Sequence, residues 1–288
     1  MSPDLEKPPE GGGCHFAAQG ADDMHSPDRS SARGCLVAMA PEISDFSDFT
    51  VEAYRSMLVS LRDRGYTAAG LGDRPSGRHV ILRHDVDISL HRARDIAGVE
   101  AQEGFQSTYF LMPRGRYYSL TEPECFDLVQ QISGLGHEIG LHFDTGTEQW
   151  SAEGLGAAIS REQRFLERLV GQPIGSVSYH NPDMSNALQF NDDKIAWLHN
   201  AYSAALKRDY VYSSDSNGYW RFKPMPEVIA AGHDRLYLLT HPEWWTPTPM
   251  APRDRIARAV LGRAEASMRD YDRVLRDAGR VNVGLAKA

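Results

Sequence analysis

Cysteine is scarce in this chain. Cys14, Cys35 and Cys125 are widely spaced, odd in number and outside any CxxC pattern, which excludes a disulfide framework and a zinc knuckle. Basic runs are also missing. With a formal charge of −8 and no Lys/Arg block among 288 residues, a dominant nucleic-acid or anionic-membrane surface is excluded. No stretch reaches the ~18 apolar residues of a membrane span. The opening MSPDLEKPPEGGG has neither the basic nor the apolar segment of a secretory signal, so a cytoplasmic setting is expected. No GxGxxG or GxxxxGK[ST] loop supports a nucleotide fold. A small-molecule substrate fits these absences better than a polymer of charge.

What is present suffices for one large core: 41% of residues are hydrophobic and 24% charged, at a length that a single α/β barrel commonly occupies. Residues 1–40 are rich in Gly, Pro, Ser, Asp and Ala. They bury too little apolar surface to offset ordering entropy and are expected to form a disordered tail, leaving 41–288 as one domain.

Structure becomes legible at Thr50, a helix N-cap followed by Val51, Tyr54, Leu58 and Leu61 at helical spacing, with Gly65 as the stop. Strand-like and helix-like segments then alternate. HVILR at 79–83 precedes a helix over 89–103, and 108–112 is a strand. Thr121 and Glu124 have capping-box spacing before another helix, and a strand runs over 138–142. A helix from Ser151 ends near Gly171, and 176–180 is a strand. Residues 191–206 carry a helical stripe of Ile195, Leu198 and Tyr202, followed by strands at 210–213 and 236–240. Pro252 opens a last long helix whose apolar face ends at Gly279. This order predicts an irregular parallel (β/α) barrel of six or seven units, with an open doubly wound sheet as the alternative.

Four segments place ionisable residues where an apolar run ends: LRHDVD at 82–87, GHEIGLHFD at 136–144, SYHNPD at 178–183 and LLTHPEWW at 238–245. In a parallel barrel, the carboxyl ends of the strands converge on one face, so these residues become neighbours and read together as a metal site. In LRHDVD, Asp85 and Asp87 can divide the work of cation ligand and base. His137 and His142 are five strand residues apart, roughly 16 Å at ~3.3 Å per residue. If His142 is at the carboxyl end, His137 is structural at the other. Asp144 is either a further ligand or a turn cap. His241, between an apolar strand and Pro242, suits acid–base work. Trp244 and Trp245 either wall a pocket or pack in the core. Asp215, in the Ser/Asn/Gly-rich loop at 210–221, is a candidate substrate contact or an Asx turn.

The ordered set RHDVD, STYFL, GHEIGLH, YHNP and LLTHPEWW over 79–245 resembles the polysaccharide deacetylases, the NodB-homology superfamily of carbohydrate esterase family 4, in an HDVD-type cytoplasmic subgroup. The resemblance implies a NodB-like (β/α)7-type barrel. It also implies a divalent metal, usually zinc, that serves hydrolysis of the N-acetyl group of an amino sugar. Carried over by position, Asp85 is the general base, Asp87 supplies the metal-binding Asp, His142 is the first metal histidine and His241 is the general acid. His180 falls where the family has an Arg that orients the base. The second metal histidine would be residue 146, which is Gly146 here. His180 is therefore the first candidate for the third ligand and Asp144 the second, and the roles of Asp85 and Asp87 are open to exchange. Asp215 and Trp244 are expected as substrate contacts. An Asp/His set accommodates Zn, Co, Ni, Mn or Fe.

The expected reaction is deacetylation of a small-molecule or carrier-linked N-acyl sugar. The rival readings are hydrolysis of a formamide, cyclic imide or ureide, and a non-catalytic binding barrel.

Overall fold

Strand β2, His79–Val86, is buried along its whole length, and the alternation of its side chains organises the molecule. The computed structural model describes residues 45–220 and 223–284; the expected tail at 1–40 and two of the three cysteines lie outside the described residues. Val80 and Leu82 point outward into a core shared with helix α1, Val51–Asp63, while Ile81 points inward with Phe110 and Tyr237. The same parity sends His84 outward and carries Arg83, Asp85 and Asp87 to the inner face.

The chain then alternates as its pattern predicts. Helix α2 is Leu90–Glu103, β3 Thr108–Leu111, α3 Pro123–Gly134, β4 Glu138–Asp144, α4 Ala152–Val170 and β5 Ser176–His180. After the two-residue β1, Thr67–Ala68, β2 to β5 form consecutive parallel pairs. Further on come β6 Lys194–Ile195, β7 Leu198–Asn200, α5 Ala204–Asp209, β8 Val211–Ser214, α6 Met225–Ala230, β9 Arg235–Thr240 and α7 Pro252–Asp277. The sheet order is β6-β7-β5-β4-β3-β2-β9-β8, with β1 beside β2. Only the β6–β7 pair is antiparallel among the described pairs.

This is an α/β fold with a curled, mostly parallel sheet that forms an open barrel. Inside the curl, Arg83 donates to Tyr237 (3.0 Å), whose hydroxyl donates to the Ala201 carbonyl (3.0 Å), so the end of β7 meets β2 and β9 across the interior. Outside, helices cover two apolar clusters, one on α1 and α6 and one on α3 and α4. Glu100 of α2 fastens the helical layer to the strands. It accepts from Tyr54 and Tyr109 (2.6 Å each) and lies 2.8 Å from His84 Nε2. Burial raises its pKa, but His84, then His137 and Tyr109, outweigh burial and bring the carboxyl down to about 2.

Three local expectations are corrected. The Thr121–Glu124 capping box does not form: α3 starts at Pro123 with Glu122 as an N-cap that makes no side-chain cap bond, because Pro sets the first helical residue. The stripe in 191–206 is not one helix. Ala196 and Trp197 adopt φ of 49° and 71°, making a two-residue turn that pairs β6 with β7, and only Ala204 onward is helical. Finally, the strand predicted over 138–142 continues to Asp144.

Candidate metal centre

Parallel register assembles the site. Pairing of β4 with β5 places His142 opposite Ser178 and Asp144 opposite His180. Asp87 follows the last residue of β2, on the inner face beside them. His142 Nε2 lies 3.0 Å and His180 Nδ1 3.2 Å from Asp87 Oδ1. One donor atom from each of the three residues falls within 4.8 Å of the others. His180 therefore completes the trio. Asp144 does not, because its Oδ1 accepts the Gly146 N–H at 3.0 Å and caps the turn. Gly146 itself has φ +57° in that turn, where a β-carbon is disfavoured, so the chain leaves the strand at the point where a second HxxxH histidine would be needed.

The residues fit a cation. Ser178 donates its hydroxyl to Asp85 Oδ1 (3.1 Å), and its oxygen therefore accepts from His142 Nδ1 (2.6 Å). That assignment leaves His142 Nε2 as a bare lone pair facing the Asp87 carboxylate. Both histidines approach Asp87 Oδ1 in distance, yet the buried oxygen receives no well-angled hydrogen bond among the described residues. The His142 lone pair and the Asp87 oxygen meet at 3.0 Å with no proton between them and repel, whereas His180, whose Nε2 accepts from Asn181 Nδ2 (2.8 Å), presents Nδ1–H to the same oxygen. A divalent ion with bonds of ~2.0–2.1 Å would relieve this, since its tetrahedral ligands sit about 3.3 Å apart.

Asp85 is fully engaged on one side. Arg83 donates Nε to Oδ1 (2.8 Å) and Nη2 to Oδ2 (2.6 Å), a bidentate pair buried inside the curl. Burial raises the Asp85 pKa, but Arg83 and then His142 outweigh it and hold the carboxyl below its ordinary value. Oδ2 is 3.9 Å from His142 Nε2 and keeps one lone pair on the side of the trio.

Asp215 holds His241, just after β9, by two contacts, to the backbone N–H (2.8 Å) and to Nδ1 (2.7 Å), and also accepts from Trp245 Nε1 at 3.1 Å. Burial would lower the His241 pKa, but the charge and hydrogen bond of Asp215, with Asp87 and Glu243 behind it, raise it to about 10. The ring is thus an imidazolium at neutral pH, and its Nε2 has no hydrogen-bond partner among the described residues. At Asp215 burial is the larger influence and raises its pKa, but His241 and three N–H donors favour its ionised form.

Sequence reasoning places Asp85, Asp87, His142, His180 and His241 together, and the structure brings them to the same strand ends. It also expects Asp215 and Trp244 at the substrate. Asp215 is instead 0% exposed, with His241 and Trp245 on its oxygens, and Trp244 is 8% exposed with its indole N–H on the Ser216 carbonyl. The loop at 215–218 folds inward and sets the buried Asp215 carboxylate against His241, whose side chain is 16% exposed. His137 is structural, as expected: Ser107 N–H donates to its Nδ1 and its Nε2 faces the Ala97 carbonyl. Sequence reasoning does not single out Arg83 or Ser178 as site residues and leaves Glu243 undecided. Period-two parity would have found Arg83, two residues before Asp85. Glu243 is buried beside the site, both its oxygens without a partner among the described residues, and burial with the Asp87 charge pushes its carboxyl well above the usual range.

No family model and no curated protein matches this chain. Several solved structures are similar to it. They include a carbohydrate esterase family 4 pseudoenzyme of Bacillus anthracis, at 17% identity and TM-score 0.39, covering 65% of this chain and 62% of that one. The peptidoglycan deacetylase PdaC of Bacillus subtilis matches at 14% identity and TM-score 0.40, covering 71% and 99%. A family 4 acetyl xylan esterase of Clostridium thermocellum, solved with a cobalt ion, matches at 18% identity and TM-score 0.38, covering 64% and 84%. The chain thus spans less than two thirds of the length of the pseudoenzyme. Among the described residues, no helix is long and apolar enough to cross a membrane.

Proposed function

We propose that this chain is a metal-dependent hydrolase of a C–N amide bond, removing the N-acetyl group of an amino sugar or sugar-containing metabolite. The observation that carries the reading is the convergence of Asp87, His142 and His180 within 4.8 Å, flanked by a buried carboxylate on one side and an imidazolium on the other. Motif order along the sequence supports the same reaction.

A divalent ion, zinc or another borderline cation, would polarise the acyl carbonyl and acidify water. Asp85 receives the water proton on Oδ2, the oxygen nearest the trio. Arg83 keeps that carboxylate ionised and fixes its orientation, and Ser178 ties it to His142. His241 gives its Nε2 proton to the departing amine nitrogen, and Asp215 holds the ring by Nδ1 while the charge changes. The substrate class is a small-molecule or carrier-linked N-acyl sugar.

Metal content by elemental analysis tests the reading, on wild type and on His142→Ala and His180→Ala. About one divalent ion per chain, lost in both variants, is expected. A wild type that takes up no ion after refilling with zinc or cobalt refutes it.

A further inference from the structure

Beside the metal residues lies a second feature that the hydrolytic reading does not use. A cleft of about 840 Å³ runs between the first turn of α2 and α7, and Ile88 and Glu243 are among its lining residues. Ile88 follows Asp87, and Glu243 is two residues beyond His241, so the cleft opens next to the reacting groups. Its walls hold six arginines against four acidic residues, Glu122, Glu124, Glu243 and Asp270. Arg255 of α7 is 2% exposed, yet none of its three guanidinium nitrogens has a hydrogen-bond partner among the described residues. Its contacts are the faces of Phe46 and Phe49, at 5.7 and 5.3 Å. Burial lowers its pKa to about 10 and outweighs the opposing charge of Asp215.

One turn further along α7, Arg258 is exposed and makes no ion pair among the described residues. Across the cleft, Arg92 pairs with Asp95 (3.0 Å); burial lowers its pKa, Asp95 raises it and the nearby charge of Arg258 lowers it. Like charges face each other there. The start of α2 adds to them. Its first turn contains no acidic residue, and the Ser89 hydroxyl accepts only the Arg92 N–H, so the N–H groups of Leu90 and His91 are unsatisfied within the helix.

We infer that the cleft between the α2 N-terminus and α7 is a phosphate subsite, in which Arg92, Arg255 and Arg258 bind a phosphate-bearing portion of the substrate. The assignment rests on the hydrolase reading only in naming the ligand a part of the substrate. Guanidinium forks and free helix N–H groups together match a phosphate's oxygens. The subsite restricts the N-acyl sugars in question to phosphorylated or diphosphate-linked ones, whose sugar would reach inward past Glu243.

The test is calorimetric titration of chelator-treated full-length protein with inorganic phosphate, inorganic pyrophosphate and uridine diphosphate. Pyrophosphate should bind, and Arg258→Gln and Arg92→Gln should each weaken it about tenfold or more. Both side chains reach solvent, so these variants keep the assay readable if Arg255→Gln does not fold. Tighter binding of uridine diphosphate than of pyrophosphate assigns a nucleotide carrier; equal binding assigns the diphosphate alone, as in a lipid-linked sugar. Tighter binding of phosphate than of pyrophosphate assigns a monoester. His180→Ala should lose metal but retain phosphate affinity. If it loses both, the anion sits on the metal residues and the subsite is overturned. Absence of binding at about 10 mM, or binding unchanged in the arginine variants, also overturns it. Phosphate binding by a wild type that takes up no metal would leave the subsite standing and remove the hydrolase.

Discussion

Asp215→Asn isolates one charge at the site's acid and predicts a large change in a single ring. In the native protein, Asp215 is buried and accepts the backbone N–H and Nδ1 of His241 at 2.8 and 2.7 Å. The amide has the same shape and still offers Oδ1 to Nδ1–H, but it carries no charge. Burial by itself lowers the His241 pKa, and Asp215 is the principal reason that it stands at about 10 instead of 6.5. At 1.36 kcal/mol per pH unit, that interval is worth roughly 5 kcal/mol in favour of the imidazolium. In the variant the pKa should fall by several pH units, so that the ring is largely neutral at pH 8.

The assay is an NMR titration of the His241 ring protons in both proteins, with metal stripped so that no cation contributes its own field. The same coupling shows in stability. Because the ring's pKa is higher folded than unfolded, its stabilisation is complete below about pH 6.5 and is lost as pH rises towards 10. Denaturant unfolding between pH 6.5 and 10 should therefore slope steeply in the wild type and much less in Asp215→Asn. A wild-type ring that titrates at or below 6.5, or one whose titration the substitution leaves in place, refutes the reasoning.

Further outcomes follow from the buried ion pairs and the turn. Glu100 has a folded pKa of about 2 against an ordinary 4.5, so it contributes roughly 3 kcal/mol above pH 4.5 that is lost as pH falls towards 2. Glu100→Gln should flatten acid unfolding over that interval, and an unchanged acid midpoint would count against the network. Arg83→Ala leaves Asp85 as an uncompensated buried charge and should cost about 3–5 kcal/mol by chemical denaturation; a cost below about 1 kcal/mol would show that the pair is not formed. Adding Gly146→His to His180→Ala should not restore metal content, because residue 146 sits at φ +57° in a capped turn. Recovery of a bound ion would mean that the family's usual second histidine can be rebuilt here.

Much of this was legible in one dimension. Apolar runs ending in Asp or His marked β2, β4, β5 and β9, since a buried parallel strand must be apolar until it reaches the solvent-facing mouth. The glycines at 104 and 171 marked helix ends because both take left-handed φ. The two local errors of helix assignment have physical causes as well. Pro123 overrode a capping box, and a positive-φ pair at Ala196 and Trp197 turned an apparently helical stripe into a hairpin.

The sequence by itself determined which residue types reach the strand ends, because burial and strand period leave no other place for Asp85, Asp87, His142 and His241. Tertiary structure alone decided how they are partnered. The β4–β5 register made His180 a ligand and Asp144 a turn cap. The inward curl placed Arg83 on Asp85, and the fold of the 215–218 loop made Asp215 the counter-charge of His241. α7 left Arg255 buried without a hydrogen-bond partner among the described residues. Apart from the local Arg83–Asp85 pair and the Asp144 turn, those outcomes depend on contacts between residues 26 or more positions apart in the chain, which the order of side chains along it does not specify.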